Sequence, residues 1–136
     1  MTPTRENLTR RAAVERMAGL LLLAVPGAWR LPFDPFPHAE PRPGITAENV
    51  WPDAKLPDKK RVRAAFAAAR AHPELFDGIY CACECSKHHR SLLTCFESAQ
   101  PTGCYGCIEG AELVDRMAKD GKSLAEIRAA CDKEWG

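Results

Sequence analysis

The chain has no excess of charge of either sign: 19 lysines and arginines stand against 18 acidic residues in 136, for a formal net charge of +1 and a pI near 7.6. A surface so balanced has no field to draw in a polyanion, so nucleic acid is not indicated as a partner. The chain also lacks an apolar run long enough to cross a bilayer comfortably. Met17–Val25 is hemmed in by Glu15, Arg16 and Pro26, whereas a spanning helix needs about 20 residues. No cysteine precedes Cys81, which removes a lipid-anchored cleavage site. No βαβ pattern surrounds the C-x-x-C pair Cys104–Cys107, and Ile108 stands where covalent haem attachment needs histidine. No nucleophile, base and orienting group can be picked out together, so hydrolytic catalysis has little support.

What the chain does have is cysteine, concentrated in one place. Cys81, Cys83, Cys85, Cys95, Cys104 and Cys107, six of the seven, fall within 27 residues. Packing does not call for such a density, because a buried thiol packs merely as a small apolar group. Metal or disulfide chemistry does. Sulfurs around one tetrahedral ion sit roughly 3.8 Å apart, while alternate side chains on a strand sit roughly 6.6 Å apart. On a helix, positions 81 and 85 would face one way and 83 the other. Residues 81–85 are therefore expected to form an irregular turn with converging thiolates. A disulfide within Cys81–Cys83 would close a strained small ring, so the disulfide alternative needs distant partners.

Three regions follow from composition. Residues 1–28 open with Thr9-Arg10-Arg11, continue through the apolar run and end at Pro26-Gly27-Ala28. This is the order of a bacterial export signal, with the adjacent arginines of the twin-arginine type, or else of an N-terminal anchor. Residues 29–58 hold seven of the eleven prolines, which fix φ and remove donors, and are expected to form an extended tether. Residues 59–136 are expected to be a small all-α, cysteine-rich domain of about four short helices around the turn. A domain under 80 residues commonly needs metal or disulfide staples.

Within that domain, Val62, Ala65, Phe66 and Ala69 predict an amphipathic helix over Lys59–Ala71, ended by His72-Pro73. Pro73–Phe76 predicts a short helical turn, and Asp77-Gly78 a break before the cysteines. Ser86 is a candidate cap for a helix running to about Glu97. His88 and His89 at its start are candidate ligands, His88 together with Cys85. His88 and Cys95 are seven residues apart, about 10.5 Å of helix rise, too far to share an ion. Thr102 or Gly103 is a candidate cap for the next helix, on which Cys104 and Cys107 would form a chelating pair at i and i+3. Gly121 predicts its left-handed stop. Ser123-Leu-Ala-Glu126 predicts a capping box for a last helix with Leu124, Ile127, Cys131 and Trp135 along its buried stripe. Cys131 reads most simply as a core residue.

Cys81-x-Cys83-x-Cys85, His89-Arg-Ser91-Leu92 leading to Cys95-Phe96, the Cys104-x-x-Cys107 pair and the tail Gly121-Lys-Ser-Leu-Ala-Glu-Ile-Arg128 to Asp132-Lys-Glu-Trp-Gly136 are together distinctive. With these elements, roughly the last 60 residues resemble the bacterial proteins named for a P-C-Y-C-G-C motif, many of them exported lipoproteins of undefined function. Tyr80, Ala82 and Glu84 depart from that motif's Pro, Tyr and Gly, and the lipid-attachment cysteine is missing. The resemblance supports a cysteine-rich exported domain and implies no activity.

The expected function is an exported metal-binding module, in the periplasm or on the outer face of the cytoplasmic membrane, that stores, senses or delivers a thiophilic ion. Cys81, Cys83, Cys85, Cys95, Cys104, Cys107, His88 and His89 are its candidate ligands. Thiolates with neighbouring histidine select Cu(I) or Zn(II), and an iron–sulfur cluster fits the spacing less well. The alternatives are a disulfide-stapled domain that binds another envelope or membrane protein, and a thiol oxidoreductase using Cys104-Tyr-Gly-Cys107.

Overall fold

A computed structural model describes residues 36–83 and 89–136. The expected export signal (1–28), the first residues of the proline-rich segment, and Cys85, Ser86 and His88 lie outside the described residues. All secondary structure among the described residues is helical, in agreement with the all-α expectation.

Helix α1 (Lys60–Ala71) buries Val62, Ala65, Phe66, Ala68 and Ala69 along one stripe. It ends at His72, which precedes a proline and takes φ −134° and ψ 51°, outside the helical region that the following ring disfavours. Pro73 then opens α2 (Pro73–Asp77) at its first turn, where its missing N–H costs nothing. Helix α3 (Leu92–Phe96) is capped by Ser91, whose hydroxyl accepts from Thr94 N–H. Residues 89–91 are not helical, so the helix expected to run to about Glu97 begins only at Leu92 and is shorter. Helix α4 (Tyr105–Lys119) buries Cys107, Ile108, Gly110, Ala111 and Val114. Its N-cap is Cys104 rather than Thr102 or Gly103, because residues 100–103 form a 3-10 turn of their own. At its far end Gly121 adopts φ +73°, and two bonds, Lys122 N–H to Met117 O and Gly121 N–H to Ala118 O (both 3.0 Å), close a Schellman motif. Helix α5 (Leu124–Trp135) opens with the Ser123/Glu126 capping box and buries Ile127 and Cys131.

Helix α1 packs chiefly on α4. Between the helices, Phe66 and Phe76 meet Phe96 edge-on at 4.8 and 5.5 Å, all three fully buried. Each ring contributes roughly 1.5–3 kcal/mol on leaving water.

The described part of the proline-rich segment is extended between short 3-10 turns at Ala47–Asn49 and Asp53–Lys55, and it is packed onto the helices. Ile45, Val50 and Leu56 join the core. Trp51 N–H donates to Phe96 O at 2.8 Å, and Arg70 donates to Trp51 O at 2.5 Å. Prolines keep the segment out of helix and sheet, and the apolar residues between them give it a reason to dock. No described helix is long and apolar enough to cross a membrane.

Candidate metal centre

The turn after α2 carries two sulfurs and is pinned on both sides. Ile79 O accepts from Leu92 N–H at 2.7 Å, and Tyr80 N–H donates to His38 Nδ1 at 3.0 Å. Residues 81–83 have no regular structure, as the spacing required, and Cys81 points inward at 2 % exposure. Cys95 from α3 and Cys107 from α4 are fully buried and complete the group.

The sulfurs of Cys81, Cys83, Cys95 and Cys107 all lie within 4.8 Å of one another. Cys81 Sγ is 3.1 Å from Cys83 Sγ, and each of these is 3.7 Å from Cys107 Sγ. Two of these separations already match the roughly 3.8 Å edge of a thiolate tetrahedron, and the third must open by about 0.7 Å. No disulfide joins any two of the four. Cys81, Cys95 and Cys107 are free thiols, whereas Cys83 is disulfide-bonded outside the quartet, so its sulfur could serve as a ligand only on reduction.

Gly106 makes the close approach feasible. A Cβ there would stand 3.2 Å from Cys83 Cβ, tighter than ordinary contact. The absence of a side chain at 106 lets the turn settle on the first turn of α4.

Protons are shared unevenly among the sulfurs. Hydrogen bonds from Cys107 and then Cys95 hold the Cys81 thiol down at about 3, against a burial effect of opposite sign. Cys107 is pushed far up by Cys81, by Cys95 and by burial. For Cys95 the contact with Cys107 favours the thiolate, but Cys81 and burial outweigh it and the net shift is upward. The quartet therefore holds one favoured thiolate among reluctant thiols. A cation at its centre would invert that order, because a coordinating thiol is deprotonated outright. His89 Nδ1 lies 2.9 Å from Cys95 Sγ. Protonated on Nδ1, the ring donates to a Cys95 thiolate from outside the quartet.

Of the other expected ligands, Cys104 is half-buried at the start of α4 and stands outside the quartet, so the expected Cys104/Cys107 chelating pair is divided. Cys107 is on the buried stripe, and Cys104 is not yet in the helix. Cys85 and His88 lie outside the described residues. Cys131 is a core residue of α5, its thiol pushed up to about 12 by burial and then by Asp132.

Three supporting residues escaped the sequence reading. Asp77 is wholly buried. It accepts from Arg42 N–H at 2.7 Å, from the Arg42 guanidinium at 2.9–3.2 Å, from Arg90 at 2.9 Å and from Ser91 Oγ at 2.8 Å. Burial alone would raise its carboxyl; the Arg42 and Ser91 hydrogen bonds outweigh it and hold the group below its usual range. His38 Nε2 meets Asp132 Oδ1 at 3.0 Å while its Nδ1 holds Tyr80, so one ring ties α5 to the cysteine turn. Gly106 is the third. A lone carboxylate within Leu75-Phe-Asp-Gly-Ile79 was the available signal for Asp77. Among known proteins, no family model, no curated protein and no solved structure matches the chain.

Proposed function

We propose that the chain is a thiolate metal-binding module that holds one thiophilic ion, Cu(I) or Zn(II), for storage, sensing or delivery. We further propose that it acts in the cell envelope after export and belongs with the P-C-Y-C-G-C proteins it resembles in its last 60 residues. The observation that carries the metal reading is the convergence of four sulfurs from three separate chain segments to within 4.8 Å. Soft, negatively polarisable ligands in a tetrahedral set suit these ions, and four protein ligands leave no open position for catalysis. Loading with Zn(II) releases the thiol protons to buffer and moves no electrons. Cys83 must first be reduced; a trialkylphosphine does this with water, giving two thiols and the phosphine oxide.

The test is elemental analysis with native mass measurement of protein prepared reduced and anaerobically. One ion per chain is expected, lost in Cys95→Ser and Cys107→Ser and kept in Cys104→Ser, whose sulfur stands outside the quartet. A Cys107→Ser chain that loads like the parent would refute the assignment.

A further inference from the structure

The quartet is enclosed on its α3 and α4 sides, where Cys95 and Cys107 are at 0 % exposure. On the other side a cleft of about 130 Å³ opens against Cys81 and Cys83. Its walls also include Ala82, Gly106, Glu109 and Trp135. Water occupies roughly 30 Å³ per molecule in the liquid, so the cleft takes about four waters, or an ion with part of its hydration shell. Gly106 contributes no side chain to fill it.

Glu109 is the carboxylate of this cleft, and it is uncommitted. It makes no ion pair or side-chain hydrogen bond with any described residue. Glu112, one turn further along α4 and outside the cleft, is held by Arg61 at 2.5 and 2.8 Å. No lysine or arginine lines the cleft. An unpaired negative charge in a cleft with low-dielectric walls focuses a field that favours cations.

We propose that this cleft is the port through which a thiophilic cation reaches and leaves the quartet, with Glu109 as the carboxylate that draws it in. The proposal rests on the metal reading above. The ion enters partly hydrated and meets Glu109 at the wall. It then exchanges waters for sulfur, with Cys83 and Cys81 bordering the cleft and Cys95 and Cys107 behind them. Each exchange forms one metal–sulfur bond and releases one water, and each sulfur still protonated passes its proton to buffer; no electron moves.

Stopped-flow mixing of the reduced, metal-free full chain with Cd(II), followed by thiolate-to-metal charge-transfer absorption, tests it. Glu109→Gln should slow loading about five-fold at low ionic strength, and the difference should fade as salt screens the charge. Glu112→Gln should load at the parent rate. Ala82→Trp, at an exposed position on the rim, should slow both loading and chelator-driven release ten-fold or more and still end at one ion per chain. Parent rates in both Glu109→Gln and Ala82→Trp would overturn the port and leave the quartet standing. A parent chain that takes up no Cd(II) would overturn the metal reading itself, and the port with it.

Discussion

Asp77→Asn isolates the contribution of the buried carboxylate at almost constant shape. The aspartate side chain is fully buried and receives two arginines, a backbone N–H and a hydroxyl. Asparagine keeps one acceptor oxygen and turns an amide, which can only donate, toward donors. Breaking a buried pair costs about 3–5 kcal/mol. That is an upper bound here, because Arg42 and Arg90 retain 36 % and 37 % side-chain exposure and stay partly hydrated. A loss of about 2–3 kcal/mol is expected, which lowers Tm by about 8–24 °C in a domain of this size. Acid gives an independent check. The folded-state pKa of Asp77 lies below its unfolded value of 3.8, so its stabilisation is present above 3.8 and disappears as pH falls through the folded value. Melting curves by circular dichroism should therefore separate parent and variant fully at pH 7 and bring them together well below pH 3.8. A variant within about 0.5 kcal/mol of the parent at pH 7, or a gap that persists in strong acid, would refute the reasoning.

Gly106→Ala places a methyl group 3.2 Å from Cys83 Cβ and forces the turn outward by a few tenths of an ångström. Competition with a chelator should show metal affinity reduced about ten-fold, with helix content unchanged, since alanine itself favours the helix. Removing the ion from the parent chain should leave it folded, because the Phe66, Phe76 and Phe96 core does not depend on sulfur. Ion at 100 times its Kd adds about 2.7 kcal/mol, so calorimetry should place the loaded chain's Tm above the metal-free one's by about 10–20 °C.

The legible features share one property: their causes lie within a few residues. The α1 stripe, the His72-Pro73 stop, Gly121 at positive φ and the Ser123/Glu126 box all follow from neighbouring residues acting on the local backbone. The irregular course of residues 81–83 was also legible, because sulfur spacing rules out strand and helix alike. What was not legible depends on distant partners. Ser91 caps α3 in a place where Asp77, 14 residues away, receives its hydroxyl. Cys104 and Cys107 look equivalent in a C-x-x-C pair, but α4 starts between them, and only Cys107 rotates onto the buried face. Proline density marked 29–58 as an extended tether, and nothing local said that Ile45, Val50 and Leu56 would find the helices.

That docked segment also bears on the metal centre. It touches the chain just before Cys81 at two points: Arg42 binds Asp77, and His38 accepts from Tyr80 N–H, with Phe36 stacked on the Tyr80 ring at 4.9 Å. It is anchored in turn on α5, where Asp132 accepts from both Phe36 N–H and His38. The backbone leading into Cys81 is thus held from one side by the segment and from the other by the Leu92–Ile79 bond at the head of α3. Geometry at the sulfurs is sensitive to displacements of a fraction of an ångström, since metal–sulfur bonds stay near 2.3 Å. A pull on residues 36–42 would reach Cys81 through Tyr80 and Asp77 without crossing the aromatic core. A segment whose unseating weakens ion binding must, by reciprocity, be seated more firmly by a bound ion, and by the same factor.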